Sequence, residues 1–108
     1  MNIQQFKDNL GNLTFYNAVL EDHNGNAYLD MPTARTIWMA NLKRIRNAKL
    51  SKLDVLSLIA LESNDQEALA QVIAKKTILR EMKNTYDLST ATTWQELLTM
   101  WPDYLLQD

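Results

Sequence analysis

The stretch that decides the fold is residues 33–62, TARTIWMANLKRIRNAKLSKLDVLSLIALE. Its apolar side chains recur every three or four positions and form one stripe of an α-helix: Ile37, Trp38, Leu42, Ile45 and Ala48. Pro32 lies just before it and suits a first helical turn. The pattern predicts a helix over residues 33 to about 53. Asp54 is predicted to cap a separate short helix, VLSLIALES, whose apolar residues cover most of its circumference and should make it the most buried element.

The following stretch predicts a second long helix. Asn64, with Glu67 three residues later, has the spacing of a capping arrangement for a helix over residues 65 to about 83. Its inner stripe should consist of four apolar side chains: Ala68, Val72, Leu79 and Met82. Two long helices joined by a short segment favour an antiparallel hairpin, with the short apolar helix folded at the bend.

The two ends of the chain predict smaller elements. Thr93 and Glu96 have the spacing of a capping box for a last helix over residues 94–100, which Trp101-Pro102 ends. Near the amino end, Asn24-Gly25 is a strong turn signal and predicts a β-hairpin over residues 15–21 and 27–30.

The rest of the amino-terminal segment is less regular. Tyr16, Ala18 and Leu20 should alternate on one side of the hairpin, and a helix over 13–21 is the competing interpretation. Residues 1–13 have no clear period, which favours a loop or a short helical turn.

Together these elements predict a mainly α fold. It consists of an antiparallel helical hairpin with short connecting and C-terminal helices, plus a small N-terminal β-hairpin. A length of 108 residues is typical of a single domain, here divided into a hairpin and loop segment (1–31) and a helical part (32–108). A core this small offsets the cost of ordering the chain with little excess, so a partner or a second copy is expected to cover some apolar surface.

Composition excludes several classes of protein. The chain has no cysteine, so it has neither disulfides nor thiolate metal sites. No apolar run approaches the roughly 20 residues that span a bilayer, and the first residues lack a signal-peptide pattern. We therefore expect a protein that is made in a cytoplasm and does not span or bind a membrane.

The residues do not suggest an enzyme. His23 is the only histidine, lies beside the predicted turn and is expected to be solvated. Gly11 and Gly25 stand alone, which rules out a glycine-rich phosphate-binding loop. No serine lies in a nucleophile elbow, and no pair of carboxylates is placed for acid–base catalysis. We predict no catalytic, cofactor-binding or metal site, and no cofactor.

Charge is distributed in blocks along the chain. Residues 31–53 carry six cations and no acid, residues 54–74 carry four acids and no cation, and residues 75–83 carry four cations and one acid. Blocks of opposite sign can attract each other across one folded surface or attract a second copy of the chain. The basic block is more consistent with a solvated helix face than with a nucleic-acid grip, because the net charge is −2 and no aromatic residue alternates with the cations.

Residues 46–82, RNAKLSKLDVLSLIALESNDQEALAQVIAKKTILREM, resemble a family of small bacteriophage proteins. The family pattern matches these positions: Arg46-Asn47, Leu50, Leu53-Asp54, Ala60-Leu61-Glu62, Asn64-Asp65, Lys75-Lys76, Leu79-Arg80-Glu81, Asp87-Leu88, Ala91-Thr92-Thr93, Glu96-Leu97 and Trp101-Pro102. The likeness covers about residues 30–106. It departs from the pattern at Glu81, where the family usually has aspartate, and at Trp94, where proline often opens the last helix.

The resemblance implies a bacteriophage tail-associated protein that acts by protein–protein binding in tail or tail-fibre assembly. Such proteins are assembly chaperones or virion structural components, found in the host cytoplasm during assembly or in the virion tail. The expected partner is another phage tail or tail-fibre protein, and a homo-oligomer is compatible with the same surfaces. The competing function is a small phage-encoded regulator that binds nucleic acid through the basic helix 35–52.

Six residues are candidates for partner binding. The cations Arg44, Arg46 and Lys49 could orient an acidic partner. The aromatic residues Trp94, Trp101 and Tyr104 cluster near the carboxyl end, where such side chains often anchor interfaces. The alternative for the aromatic residues is that they cover the open end of the helical hairpin.

Overall fold

The fold is mainly α-helical with one small antiparallel sheet near the amino end, as the sequence predicts. A computed structural model describes residues 1–106. The helices are α1 (Ile3–Leu10), α2 (Met31–Glu62), α3 (Gln66–Arg80), α4 (Met82–Thr85) and α5 (Trp94–Leu98). The strands are β1 (Val19–Glu21) and β2 (Ala27–Leu29), and 3-10 turns span Leu13–Ala18 and Asp103–Leu105.

The helix α2 is a single unbroken helix of 32 residues. The prediction that Asp54 caps a separate helix is therefore wrong. No glycine or proline lies between residues 33 and 62, so nothing in the backbone opposes continuation. The Asp54 carboxylate instead pairs with the Lys76 ammonium of α3, with an oxygen-to-nitrogen distance of 2.6 Å.

The carboxyl-terminal part of α2 is also far more exposed than predicted. Only Ala60 of the segment VLSLIALE is buried, and its five large apolar side chains are exposed: Val55, Leu56, Leu58, Ile59 and Leu61. A helix with apolar residues on all sides needs neighbours on all sides, whereas α3 packs along only one side of this segment. Of the predicted stripe further back, Trp38 and Leu42 are buried, and Ala48 is exposed.

The helix α3 confirms the second predicted helix and shifts its cap by one residue. Asp65, rather than Asn64, is the N-cap, and its carboxylate accepts a hydrogen bond from the Ala68 N–H at 3.0 Å. Asn64 has a positive φ of 54°, which reverses the chain between the two helices. The helix ends at Arg80 rather than near residue 83, so Met82 belongs to α4. Of the predicted inner stripe, Val72, Leu79 and Met82 are buried and Ala68 is half-buried.

The amino-terminal hairpin is shorter than predicted. Its three-residue strands pair Val19 with Leu29, and residues 13–18 form a 3-10 turn instead of strand, so Tyr16 and Leu20 do not share a strand face. The loop is built around Asp22, whose Oδ1 accepts from the N–H groups of Asn24 and Asn26, each at 2.9 Å. Gly25 takes the left-handed conformation that the turn requires, with φ of 82°.

The first residues form a regular helix rather than a loop. Asn2 and Gln5 make a reciprocal capping box at the start of α1, and Gly11 ends the helix in the left-handed conformation. The predicted capping box near the carboxyl end is half-formed. Thr93 accepts from the Glu96 N–H at 3.2 Å, but the Glu96 carboxylate contacts Thr92 instead of returning to Thr93.

Contacts within the chain define two compact units. The first comprises Met1–Asn41 and Leu88–Met100, and its core is aromatic. Phe15 is fully buried, with ring centroids 6.0 Å from Trp38 and 6.4 Å from Trp94. The indole N–H of Trp38 donates to the carbonyl of Met100 at 2.9 Å, which ties α2 to the segment after α5.

The second unit comprises Leu42–Asp87 and, at the carboxyl end, residues 101–106. Its buried apolar residues come from α2, α3, α4 and the last 3-10 turn: Leu42, Ala60, Val72, Leu79, Met82 and Leu105. Because this unit contains residues 42–53 of the basic block and the exposed apolar segment, it carries the surfaces considered below. The prediction that all 108 residues form one domain stays a prediction.

Candidate partner-binding site

A pocket of about 310 Å³ opens on one flank of the α2–α3 pair. Its apolar wall consists of Leu53 and Leu56 from α2 and of Ile78 and Leu79 from α3. These residues meet because the connection at residues 63–65 is short and the two helices run antiparallel. Positions equally far from the connection then lie opposite each other.

Three lysines surround this apolar wall. Lys49 and Lys52 lie one helical turn apart on α2, and Lys75 comes from α3. Lysine carries its ammonium on a long apolar stem, so the stems can extend the wall while the charges stay at the rim. The pocket therefore combines an apolar interior with three positive charges. This combination suits a ligand that carries an anionic group next to an apolar group.

Tyr104 completes the lining from the last 3-10 turn. Its hydroxyl is buried and has no hydrogen-bond partner within residues 1–106. A buried polar atom without a partner costs free energy, about 1–3 kcal/mol in typical cases. Tyr104 thus lines the pocket and also holds one polar atom without a partner in the interior beside it.

Tyr86 lies near the last 3-10 turn, and residues of that turn affect its ionisation. Burial raises the pKa of Tyr86 above its usual value of 10.0, and the negative Asp103 and the phenol of Tyr104 raise it further. The folded protein therefore keeps the Tyr86 phenol neutral to higher pH than the unfolded chain does.

The pocket brings together two of the six predicted partner-binding residues, Lys49 and Tyr104. Arg44 is exposed on α2 outside the lining, and the half-buried Arg46 donates to the side chain of its neighbour Asn47 at 3.1 Å and 3.2 Å. Trp101 is half-buried in the second unit. These three residues are therefore not part of the pocket.

Trp94 belongs to the first unit and packs on Phe15 there. It is half-buried, and its contact with a fully buried phenylalanine gives it a structural role in that aromatic core. The predicted aromatic cluster is thus divided, with Trp94 in one unit and Trp101 and Tyr104 in the other.

The prediction missed most of the lining, including Lys52, Lys75 and Ile78. The sequence positions alone could have indicated which residues of the two helices lie opposite each other. In a hairpin centred on Asn64, residue 53 lies opposite residue 75 and residue 49 opposite residue 79, so the lysines of both helices converge beside the same leucines. Assigning residues 55–63 to a separate short helix at the bend hid that correspondence.

Within residues 1–106, no cluster of three or more histidine, cysteine, aspartate or glutamate side chains is placed to hold a metal ion. His23 is exposed, as predicted for a turn residue. Across the same residues, no helix has both the length and the apolar character needed to cross a bilayer.

The chain matches no protein-family model, and searches of curated proteins and of solved structures find no similar protein. The functional interpretation therefore rests on the pocket, the charges and the sequence pattern of residues 46–102.

Proposed function

We propose that this chain is a bacteriophage tail-associated protein that acts by protein–protein binding during tail or tail-fibre assembly. The observation that carries the proposal is the lysine-rimmed apolar pocket formed by α2, α3 and Tyr104. It offers contact surface and charge rather than a set of catalytic groups. The resemblance of residues 46–102 to small phage proteins supports the assignment to tail assembly.

The preferred partner is an acidic segment that carries an apolar side chain. Leu53, Leu56 and Ile78 would contact the apolar side chain, and the ammonium groups of Lys49 and Lys75 would attract the flanking carboxylates. Tyr104 would contact the same segment from the last 3-10 turn. Such a segment is complementary to the apolar lining and to the positive charge of the pocket.

Calorimetric titration with a synthetic peptide, Glu-Glu-Leu-Phe-Glu-Glu, tests the pocket directly. The double variant Lys49→Glu/Lys75→Glu should weaken binding at least about tenfold, because it places two negative charges beside the peptide carboxylates. The control Lys43→Glu/Lys83→Glu makes the same change in net charge outside the lining and should bind within about twofold of the wild type. Equal losses in both variants would contradict a defined pocket.

The assembly role is tested in infected cells. Mass spectrometry of purified virions should find the chain at stoichiometric levels if it is a structural component, and only in lysate if it is an assembly chaperone. In either case, virions made with the pocket variant should lack a tail or tail-fibre protein that virions made with the control variant contain. If virions made with the pocket variant contain all of these proteins, the proposal is contradicted.

The competing function is nucleic-acid binding through the basic residues of α2. A phosphate-gripping helix binds DNA at low salt and loses affinity steeply as salt rises. Reversal of charge at Arg44 and Arg46 should abolish such binding. DNA binding with this behaviour would favour the regulator over the tail protein.

A further inference from the structure

The exposed face of the carboxyl-terminal half of α2 has an ordered pattern. Lys52, Val55, Ile59 and Glu62 follow one another at spacings of three, four and three residues, which places them on a single stripe of the helix. All four are exposed. Lys52 also lies at the edge of the pocket, whereas the side of α2 that packs on α3 is carried by other residues, among them Leu53 and Ala60. We call these four residues the outer stripe.

The outer stripe has an apolar centre between a cation and an acid. Val55 and Ile59 are 56% and 53% exposed, and Leu58 beside them is 60% exposed. Contiguous apolar surface of this kind on a helix marks a contact site for another macromolecule. The arrangement of the charges specifies which one.

The stripe is complementary to itself when reversed. Lys52 and Glu62 lie five residues on either side of position 57, and Val55 and Ile59 lie two residues on either side of it. In an antiparallel pair of α2 helices with a two-fold axis at position 57, Lys52 of each copy meets Glu62 of the other. Val55 of each copy then meets Ile59 of the other, and both contacts occur twice.

A parallel pair would instead juxtapose like charges at both ends of the stripe, which is unfavourable. We propose that this protein forms a homodimer in which the outer stripes of two copies pack antiparallel, with the two-fold axis beside position 57. The second copy covers Val55 and Ile59, the part of the exposed apolar segment that lies on the outer stripe. This inference does not depend on the tail-assembly function or on what occupies the pocket.

The larger charge pattern supports the same arrangement. The stripe runs from the basic block of residues 31–53 into the acidic block of residues 54–74. Reversing one copy therefore sets the acidic end of each helix beside the basic part of the other. Complementary fields of this kind orient the two copies during encounter and fix their register.

Sedimentation-equilibrium centrifugation of the full chain tests the dimer. The wild type should show a monomer–dimer equilibrium, and Ile59→Glu should raise the dissociation constant at least about tenfold by placing a charge in the apolar centre. The matched control is Ile73→Glu on α3, which is equally exposed at 53% and lies off the stripe. It should leave the dissociation constant within about twofold of the wild type. Circular dichroism checks that both variants are folded.

Charge exchange tests the antiparallel register. Lys52→Glu or Glu62→Lys alone should weaken the dimer roughly tenfold, because each creates two like-charge contacts, and the double exchange should restore it. An equal mixture of the two single variants should form a heterodimer of near wild-type affinity, since both charge contacts are then opposite in sign.

Three results would overturn the inference. The first is a wild-type chain that stays monomeric at high concentration, which would assign the face to a different protein. The second is a dimer that Ile59→Glu leaves intact. The third is a mixture of the two single charge reversals that forms no heterodimer. Lys52 also lines the pocket, so the peptide titration is repeated with the Lys52→Glu chain to separate the two sites.

Discussion

At the scale of single residues, the ionisation of Tyr86 makes the stability of the fold depend on pH in the alkaline range. Its phenol is half-buried in the second unit, close to Asp103 and Tyr104. Burial raises the pKa of the phenol, and the negative charge of Asp103 acts in the same direction. The folded state therefore binds the phenol proton more tightly than the unfolded state does.

This shift predicts a loss of stability at high pH. The contribution of Tyr86 is fully present below the unfolded pKa, about 10, and is lost as pH rises through the higher folded pKa. Tyr86→Phe should therefore make the free energy of unfolding fall less steeply above about pH 10. Urea unfolding followed by circular dichroism across this range measures the slope. Tyr28→Phe in β2 is the control, and an unchanged slope for Tyr86→Phe would contradict the shift.

The N-cap Asp65 gives a second prediction at this scale. Its carboxylate accepts a hydrogen bond from the Ala68 N–H, one of the donors at the start of α3 that have no acceptor within the helix. Asp65→Ala should lower the free energy of unfolding by about 1 kcal/mol, whereas Asp65→Asn keeps the acceptor and should cost only a few tenths. Urea unfolding compares the two. Equal effects would indicate that the charge, rather than the hydrogen bond, stabilises α3.

At the scale of elements, α2 shows where sequence patterns are informative and where they fail. The spacing of Trp38 and Leu42 correctly predicts a helix and its buried face. The same reasoning failed after Asp54, because apolar residues on all sides of a helix indicate a need for neighbours without showing that one chain supplies them. Only the tertiary arrangement shows that α3 covers one side.

The burial of α2 gives a prediction about packing. Leu42 is 0% exposed, whereas Leu13 in the first 3-10 turn is 77% exposed. Leu42→Ala should lower the free energy of unfolding by about 2–5 kcal/mol, because it leaves a cavity in the second unit. Leu13→Ala, the same change at an exposed position, should stay within about 0.5 kcal/mol. Thermal unfolding of both variants is the measurement, and similar losses would contradict the assigned burial.

At the scale of the whole molecule, composition and periodicity predict the fold class but not the site. Low glycine and proline content, together with the Asn24-Gly25 turn, leads to a mainly α chain with a small hairpin. The pocket depends on which residues of α2 lie opposite α3, and that follows from the position of the bend. The predicted bend was a separate helix over residues 55–63, whereas the chain reverses at Asn64, and this changes the opposing residues throughout the hairpin.

The placement of the tryptophans has a spectroscopic consequence. Trp38 and Trp94 pack near Phe15 in the first unit, and Trp101 lies in the second. The protein has three tryptophans, so the tryptophan emission of a Trp101→Phe chain would come only from the first unit. That of a Trp38→Phe/Trp94→Phe chain would come only from the second. Intrinsic fluorescence can then reveal whether the two units melt together or one after the other, without any attached dye.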